Sequence, residues 1–320
     1  MKRMFENQRR PTWIARSTAL ALVCVASLTA IGTPAQAANI YLASWRNQFV
    51  ATYDSTTGAA INTTFAQIGT SSSDPYDLEM EGNVLYVADR GLNRVGTYNA
   101  TTGAAINADF ISANNARTLT LSGNNLYLSR SFGEVGLYDA TTGAAINANF
   151  ITGLGSVTTG VLVSGNTLYV VQQSQNKVQT FNATTGALIS ANFITGLNGP
   201  ENMVLFGNTL LISNYFSGTV GAYDATTGAA NNANFITGLG GIVGMALSGT
   251  DLYVSRYDVG RVGKYNAITG ATINADFITG LDGPEGIFVD PVPEPSTLAL
   301  GIASLAGLGF AALRKKNRTA

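Results

Sequence analysis

The sequence predicts an all-β chain built as a six-bladed β-propeller of about 42-residue, four-stranded blades, and three observations carry that prediction. One phrase recurs: YDSTTGAAINTTF at Tyr53 returns in close variants at Tyr98, Tyr138, Phe181, Tyr223 and Tyr265, in steps of 45, 40, 43, 42 and 42 residues. A period of that size marks a stacked or radial repeat. Each period holds four short strand-like segments separated by Gly, Asn and Asp turn signals. The two ends of the repeat region, 38–290, each carry an unmatched strand of one incomplete unit.

Composition agrees and removes several chemistries. Charged residues are only 12% of the 320 and Gly supplies 36 of them, a balance suited to tight turns between apolar strands. The chain has no His, which excludes His acid/base catalysis, Ser-His-Asp chemistry and His-ligated metals. Its single cysteine, Cys24, permits no intrachain disulfide and no Cys-based zinc site. No cofactor is expected.

In chain order, Lys2, Arg3, Arg9, Arg10 and Arg16 precede an apolar run over 17–32, and Ala35-Gln36-Ala37 follows. This is the layout of a secretory signal peptide over 1–37, with Ala35 and Ala37 framing the cleavage site. The run is short of the roughly 20 residues a membrane span needs. Next comes Asn39-Ile40-Tyr41-Leu42-Ala43, a strand of type B with no strand A before it. The last full unit shows the complete order: GIVGMALSG is strand A, TDLYVSR strand B, GRVGKYNA strand C and ATINADFITG strand D. Strand B is apolar on both faces, as Leu85-Tyr86-Val87 and Leu252-Tyr253-Val254 show. Such a strand needs cover on both sides, which radial stacking of sheets supplies and an open sheet does not. Strand D is richer in Asn and Thr, as an outer rim should be. A β-helix is the alternative, although its coils are usually shorter. Gly286-Ile287-Phe288-Val289 closes the region as a strand A with no strand B after it. Pairing the two orphans completes a blade and removes an exposed sheet edge.

Within the repeated phrase, the Asp or Asn after the aromatic should accept backbone N–H groups of the C-to-D turn, with Gly in a positive-φ position. Calcium loops at Asp54, Asp139 and Asp224 are the alternative; Asn99, Asn182 and Asn266 replace the carboxylate elsewhere. The repeated Tyr is expected to pack between blades.

Functional residues should be those that differ at equivalent positions on one face, where the D-to-A and B-to-C connections meet. Tyr76, Arg117, Thr159, Glu201, Val243 and Glu285 align at one position and should ring the channel entrance. Ser44, Asp89, Arg130, Gln172, Asn214 and Arg256 form a second series; Trp45, Arg90, Ser131, Gln173, Tyr215 and Tyr257 form a third. Arginines beside Trp45, Tyr215 and Tyr257 suit acidic sugars or carboxylates. Arg90, Arg130 and Arg256 are expected to span an extended anionic glycan. Residues 38–290 hold nine basic and seventeen acidic residues, a net charge of −8 that disfavours nucleic acid. An enzymatic reading would need a carboxylate-bound metal drawn from Glu201, Glu285, Asp77, Asp89 and Asp258; the spacing of the two Glu around the ring argues against such a cage. A purely structural role is the third class.

The C-terminal segment, 291–320, carries Pro293-Glu294-Pro295, an apolar stretch over 297–313 at the lower limit for a spanning helix, and Arg314, Lys315, Lys316 and Arg318. This tripartite tail resembles the PEP-CTERM sorting signal of Gram-negative bacteria. The resemblance implies recognition of Pro293, Glu294 and Pro295 by a membrane-embedded exosortase. It also implies a transient inner-membrane stage through the 297–313 helix, removal of the tail, and release to the cell surface or exopolysaccharide matrix. The body resembles NHL-type six-bladed propellers in architecture only. Together these readings make the chain an exported, non-catalytic propeller that binds exopolysaccharide or another surface protein, with a metal-dependent lyase or lactonase as the alternative.

Overall fold

The computed structural model describes residues 38–45, 48–155 and 157–290. The expected signal peptide, its cleavage site and the 291–320 tail with its apolar stretch lie outside these residues. Among the described residues no helix is long and apolar enough to cross a membrane.

Among the described residues, twenty-four strands form six separate four-stranded antiparallel sheets. The first blade contains β1 (Asn39–Ser44), β2 (Phe49–Asp54) and β3 (Ala60–Gln67). The second is β4 (Pro75–Glu81), β5 (Val84–Asp89), β6 (Arg94–Asn99) and β7 (Ala105–Ser112). The third is β8 (Ala116–Ser122), β9 (Asn125–Arg130), β10 (Glu134–Asp139) and β11 (Ala145–Ile151). The fourth is β12 (Thr158–Ser164), β13 (Thr167–Gln172), β14 (Lys177–Asn182) and β15 (Leu188–Ile194). The fifth is β16 (Pro200–Phe206), β17 (Thr209–Asn214), β18 (Thr219–Asp224) and β19 (Ala230–Ile236). The sixth is β20 (Ile242–Ser248), β21 (Asp251–Arg256), β22 (Arg261–Asn266) and β23 (Thr272–Ile278).

The final strand, β24 (Pro284–Val289), does not start a seventh sheet. It pairs antiparallel with β1, Ile40 opposite Val289 and Leu42 opposite Ile287, so the order of the first blade is β24-β1-β2-β3. The inner strands A touch their neighbours in an unbroken series that returns to β24, and the ring is closed.

Burial follows the strand letters. Strands B and C are almost wholly buried, while strand D exposes most of its residues. Six apolar clusters each draw side chains from two adjacent blades, so the core lies between sheets and no blade is complete alone.

Polar contacts repeat with the same six-fold logic. Asp54 Oδ1 accepts N–H bonds from Thr56 and Thr57 at 3.0 and 2.7 Å, and Asn99 does the same for Thr101 and Thr102. The motif is therefore hairpin chemistry in both its Asp and Asn versions. Its Gly is obligatory on two counts: Gly103 has φ +72°, and a Cβ there would overlap the Phe65 carbonyl of the preceding blade. That close approach lets the strand-B tyrosine reach across. Tyr86 Oη donates to the Ala140 carbonyl at 2.8 Å, Tyr127 to Ala183 at 2.8 Å and Tyr169 to Ala225 at 2.7 Å. Tyr41 bonds Ala100 at 3.0 Å and Tyr253 bonds Ser55 at 2.8 Å. At the fifth blade Leu211 stands where the others have Tyr.

Closure generates a prediction. Deleting 283–290 removes the inner strand of one blade and bares the edge of β1 in the core. The truncated chain is expected to unfold or self-associate, read by thermal melting and size-exclusion chromatography. A monomer with an unchanged melting temperature would refute the closure.

Candidate functional site at the loop face

The D-to-A and B-to-C connections are laced together on one face. In every blade the first residue past strand B donates its backbone N–H to the D-to-A loop: Trp45 to Gly283, Arg90 to Asp74, Ser131 to Asn115, Gln173 to Val157, Tyr215 to Gly199 and Tyr257 to Gly241. This regularity confirms that the third sequence series shares one face. It also fixes where the side chains of that face start.

The first series does not frame an open mouth. Tyr76, Thr159, Glu201, Val243 and Glu285 are buried and Arg117 is half-buried, so this ring plugs the channel. Tyr76 Oη donates to Glu201 Oε2 at 2.8 Å, joining the second blade to the fifth across the ring, and Gln173 Nε2 donates to Glu201 Oε1. The Tyr76 ring lies against two guanidinium groups, 4.8 Å from Arg90 and 4.6 Å from Arg117. Arg90 Nε in turn bonds Asp74 Oδ2 at 2.6 Å. Burial raises the Glu201 carboxyl, partly opposed by Arg117 and the Tyr76 hydroxyl. Glu285 is raised well above the carboxylate range by burial and by Asp74, which lies within hydrogen-bonding reach. Asp74 Oδ1 and Glu285 Oε2 are both buried and without a hydrogen-bond partner.

The second series, expected as a variable contact surface, is engaged within the protein, partly on loops and partly on strands. Asp89 accepts from Ser73 Oγ at 2.7 Å and from the Asp74 N–H at 2.8 Å; Asn214 accepts from the Asn198 N–H at 3.1 Å. Gln172 bonds Gln179. Arg130 reaches outward to the Ala148 carbonyl at 2.8 Å and pairs with Glu134. Arg256 donates to the carbonyls of Leu239 at 2.6 Å and Ala275 at 3.4 Å. Arg90 thus sits in the plug, Arg130 serves strands C and D of its own blade, and Arg256 bonds the loop entering its blade and its own strand D, so all three are engaged within the protein. Arg94 and Arg261 likewise pair with Asp109 and Asp276 of strand D. Arg46 lies outside the described residues.

What the loop face does gather is aromatic. The rings of Trp45 and Tyr257 stack at 6.1 Å and 29°, joining the first and sixth blades. Tyr215 Oη donates to Asp258 Oδ1 at 2.9 Å, joining the fifth and sixth, and its hydroxyl is pushed up to about 12 by burial and that carboxylate. Phe216 packs edge-on to Tyr215 at 5.6 Å and is 68% exposed. Sequence reasoning missed Phe216. The available signal was its place next after Tyr215, a position that holds Phe132 in the third blade, also 68% exposed.

Below the plug the channel has a volume of about 180 Å³ and is lined by strands A, chiefly Leu, Val, Met, Ile and Thr with Asp77 and Glu79. Asp77 accepts the Leu119 N–H at 3.1 Å, and burial raises it to about 7. Glu79 is raised to about 8 by desolvation and by Asp77. Among the described residues no three His, Cys, Asp or Glu side chains group to hold a metal.

Residues 26–192 match the family model described as outer membrane protein assembly factor BamB, a PQQ-like repeat family. The chain belongs to this family. Residues 291–316 match the PEP-CTERM protein-sorting motif, as the tail resemblance implied. No curated protein matches the chain. Among solved structures it is similar to the computationally designed Ika8 protein, at 14% identity and TM-score 0.52, covering 78% of this chain and 74% of that one. It is also similar to a chain of a nidogen/laminin complex, at 11% identity and TM-score 0.61, covering 79% and 98%. At such identities these likenesses concern the fold alone. The channel does not suit PQQ, a tricarboxylate quinone: its lining has two acids and no Lys or Arg.

The channel acids generate a pH prediction. Both bind protons more tightly in the folded state, so stability is fullest below the ordinary carboxylate range and falls as pH rises towards 7 to 8. Glu79→Gln is expected to flatten that part of the melting-temperature profile and to raise the melting temperature at pH 8. An unchanged slope would show that Glu79 is ordinarily ionised.

Proposed function

We propose that this exported propeller is a non-catalytic binding module of the cell surface or its matrix, engaging polysaccharide through the aromatic arc of its loop face. The observation that carries the reading is the succession Phe216, Tyr215, Tyr257 and Trp45 across three consecutive blades, held by the Tyr215–Asp258 bond and the Trp45–Tyr257 stack. Sugar rings present C–H faces that pack on such surfaces, and a partly polar arc suits a wet, extended ligand. The anionic preference expected from sequence loses its basis, because Arg130 and Arg256 are engaged by carbonyls of their own surroundings. Export and tail removal fit the PEP-CTERM motif. In this reading the motif delivers the body to the place where its ligand is.

Each truncated ring is expected to cost on the order of 1 kcal/mol, so Trp45→Ala, Tyr215→Ala and Tyr257→Ala together should weaken retention on extracted exopolysaccharide by about a hundredfold. Circular dichroism and melting should stay near wild type. Equal retention of the triple variant, or no retention of either protein, would favour a structural role. Separately, replacing Pro293, Glu294 and Pro295 by Ala should leave the chain cell-associated with its tail intact, read by mass spectrometry of the C-terminus. Normal release would remove exosortase from the account.

A further inference from the structure

The outer rim carries a second kind of cleft, repeated between blades and independent of the loop face. Three such clefts have closely similar volumes, about 480 Å³ between the first and second blades, 470 Å³ between the second and third, and 490 Å³ between the fourth and fifth. The same positions line each. In the first these are Tyr41 from strand B, Thr52 from strand C, Ile61 and Phe65 from strand D, and Thr101 with Thr102 from the next blade's turn. The other two use the equivalents of all six. The tyrosine and phenylalanine meet edge to face, at 5.5, 5.9 and 5.6 Å, to form an aromatic wall.

The sixth blade shows what such a wall holds. Opposite Tyr253, where those three blades have Thr, stands Lys264. Its ammonium lies 5.2 Å from the Tyr253 ring centroid and 5.1 Å from that of Phe277. It donates to the Ser55 carbonyl at 3.3 Å, the same carbonyl that Tyr253 Oη bonds, and pairs with Asp251 at 2.8 Å. An aromatic pair, a turn carbonyl and a carboxylate thus enclose one ammonium. A carboxylate from another position lines the first two clefts, Asp290 in the first and Glu81 in the second, while the third offers hydroxyls and an amide in its place.

We propose that these rim clefts bind primary ammonium groups borne on a glycan, and that Lys264 fills one of them from within. Thr52, Thr97 and Thr180 are too short to reach the position that the Lys264 ammonium takes, and the Thr52 and Thr97 hydroxyls donate to the Asn62 and Asn107 carbonyls of strand D. The cleft volume admits a whole sugar ring, where a lysine tip would occupy only a part. Several weak sites around one rim act together on a polymer, and the net charge of −8 over residues 38–290 draws a polycation towards it. An aminated polysaccharide is the occupant this combination fits.

The test uses the purified full-length chain, titrated calorimetrically at mildly acidic pH with a glucosamine oligosaccharide, its fully N-acetylated counterpart and poly-lysine. The free-amine glycan is expected to bind at least about tenfold more tightly than the acetylated one. Thr52→Lys, Thr97→Lys and Thr180→Lys together should close the clefts as Lys264 does and abolish that difference. Lys264→Thr should add one site, seen as a higher stoichiometry, which keeps the idea testable if the triple variant misfolds. Equal binding of both glycans, undiminished binding by the triple-lysine variant, an unchanged stoichiometry for Lys264→Thr, or binding of poly-lysine alone would overturn it. Loss of the loop-face rings leaves all of these outcomes unaffected.

Discussion

The fold depends on one contact, the strand-B tyrosine hydroxyl donating to a backbone carbonyl in the next blade's C-to-D turn. The turn itself is set by Asp or Asn and by a glycine that admits close approach to the preceding blade. A buried hydroxyl without that carbonyl would carry a desolvation cost of roughly 1 to 3 kcal/mol, so the bond also fixes blade-to-blade distance and rotation. Five junctions use it, and the rim clefts arise beneath it because the tyrosine crosses to the neighbouring blade above the exposed strand D. Where Leu211 interrupts the series, apolar packing around Val254 and Tyr265 carries the junction.

A scaffold so heavily repeated confines individuality to a few positions. On the loop face most of the variation is consumed internally: the second series bonds loops and strands of the scaffold, and the first closes the channel through Tyr76 and Glu201. Charge that looked available in the sequence is engaged within the protein, as Arg94 with Asp109 and Arg261 with Asp276 illustrate. What faces outward is aromatic on one side and a repeating hydroxyl-and-ring pattern on the rim. Both are surfaces suited to polymers, and both sit on a body that its C-terminal motif marks for export.

The buried plug gives the ring a specific polar strut across its axis. Arg117, Arg90, Tyr76, Glu201, Asp74 and Glu285 are mutually dependent, since each is too costly to bury alone. Their arrangement ties opposite blades where apolar strands A would otherwise leave a pore. The channel below it is lined by two titratable groups, Asp77 raised by burial and Glu79 raised by burial and by Asp77.

The sequence by itself determined the blade count, the strand order, the hairpin chemistry of the turns and the closure by β24, because each is a local or periodic property written six times. It also placed the third loop series on one face, and the PEP-CTERM tail was legible from its order of elements. Only the tertiary structure decided where side chains point and what they meet. Arg130 and Arg256 share a series with Asp89, yet their length carries them outward to carbonyls that no sequence pattern reveals. Tyr76 and Glu201 lie 125 positions apart and meet because the ring sets the second blade opposite the fifth. Lys264 differs from Thr52 by one residue in a repeat, and its meaning emerges only when strand C brings its ammonium over the rings of Tyr253 and Phe277.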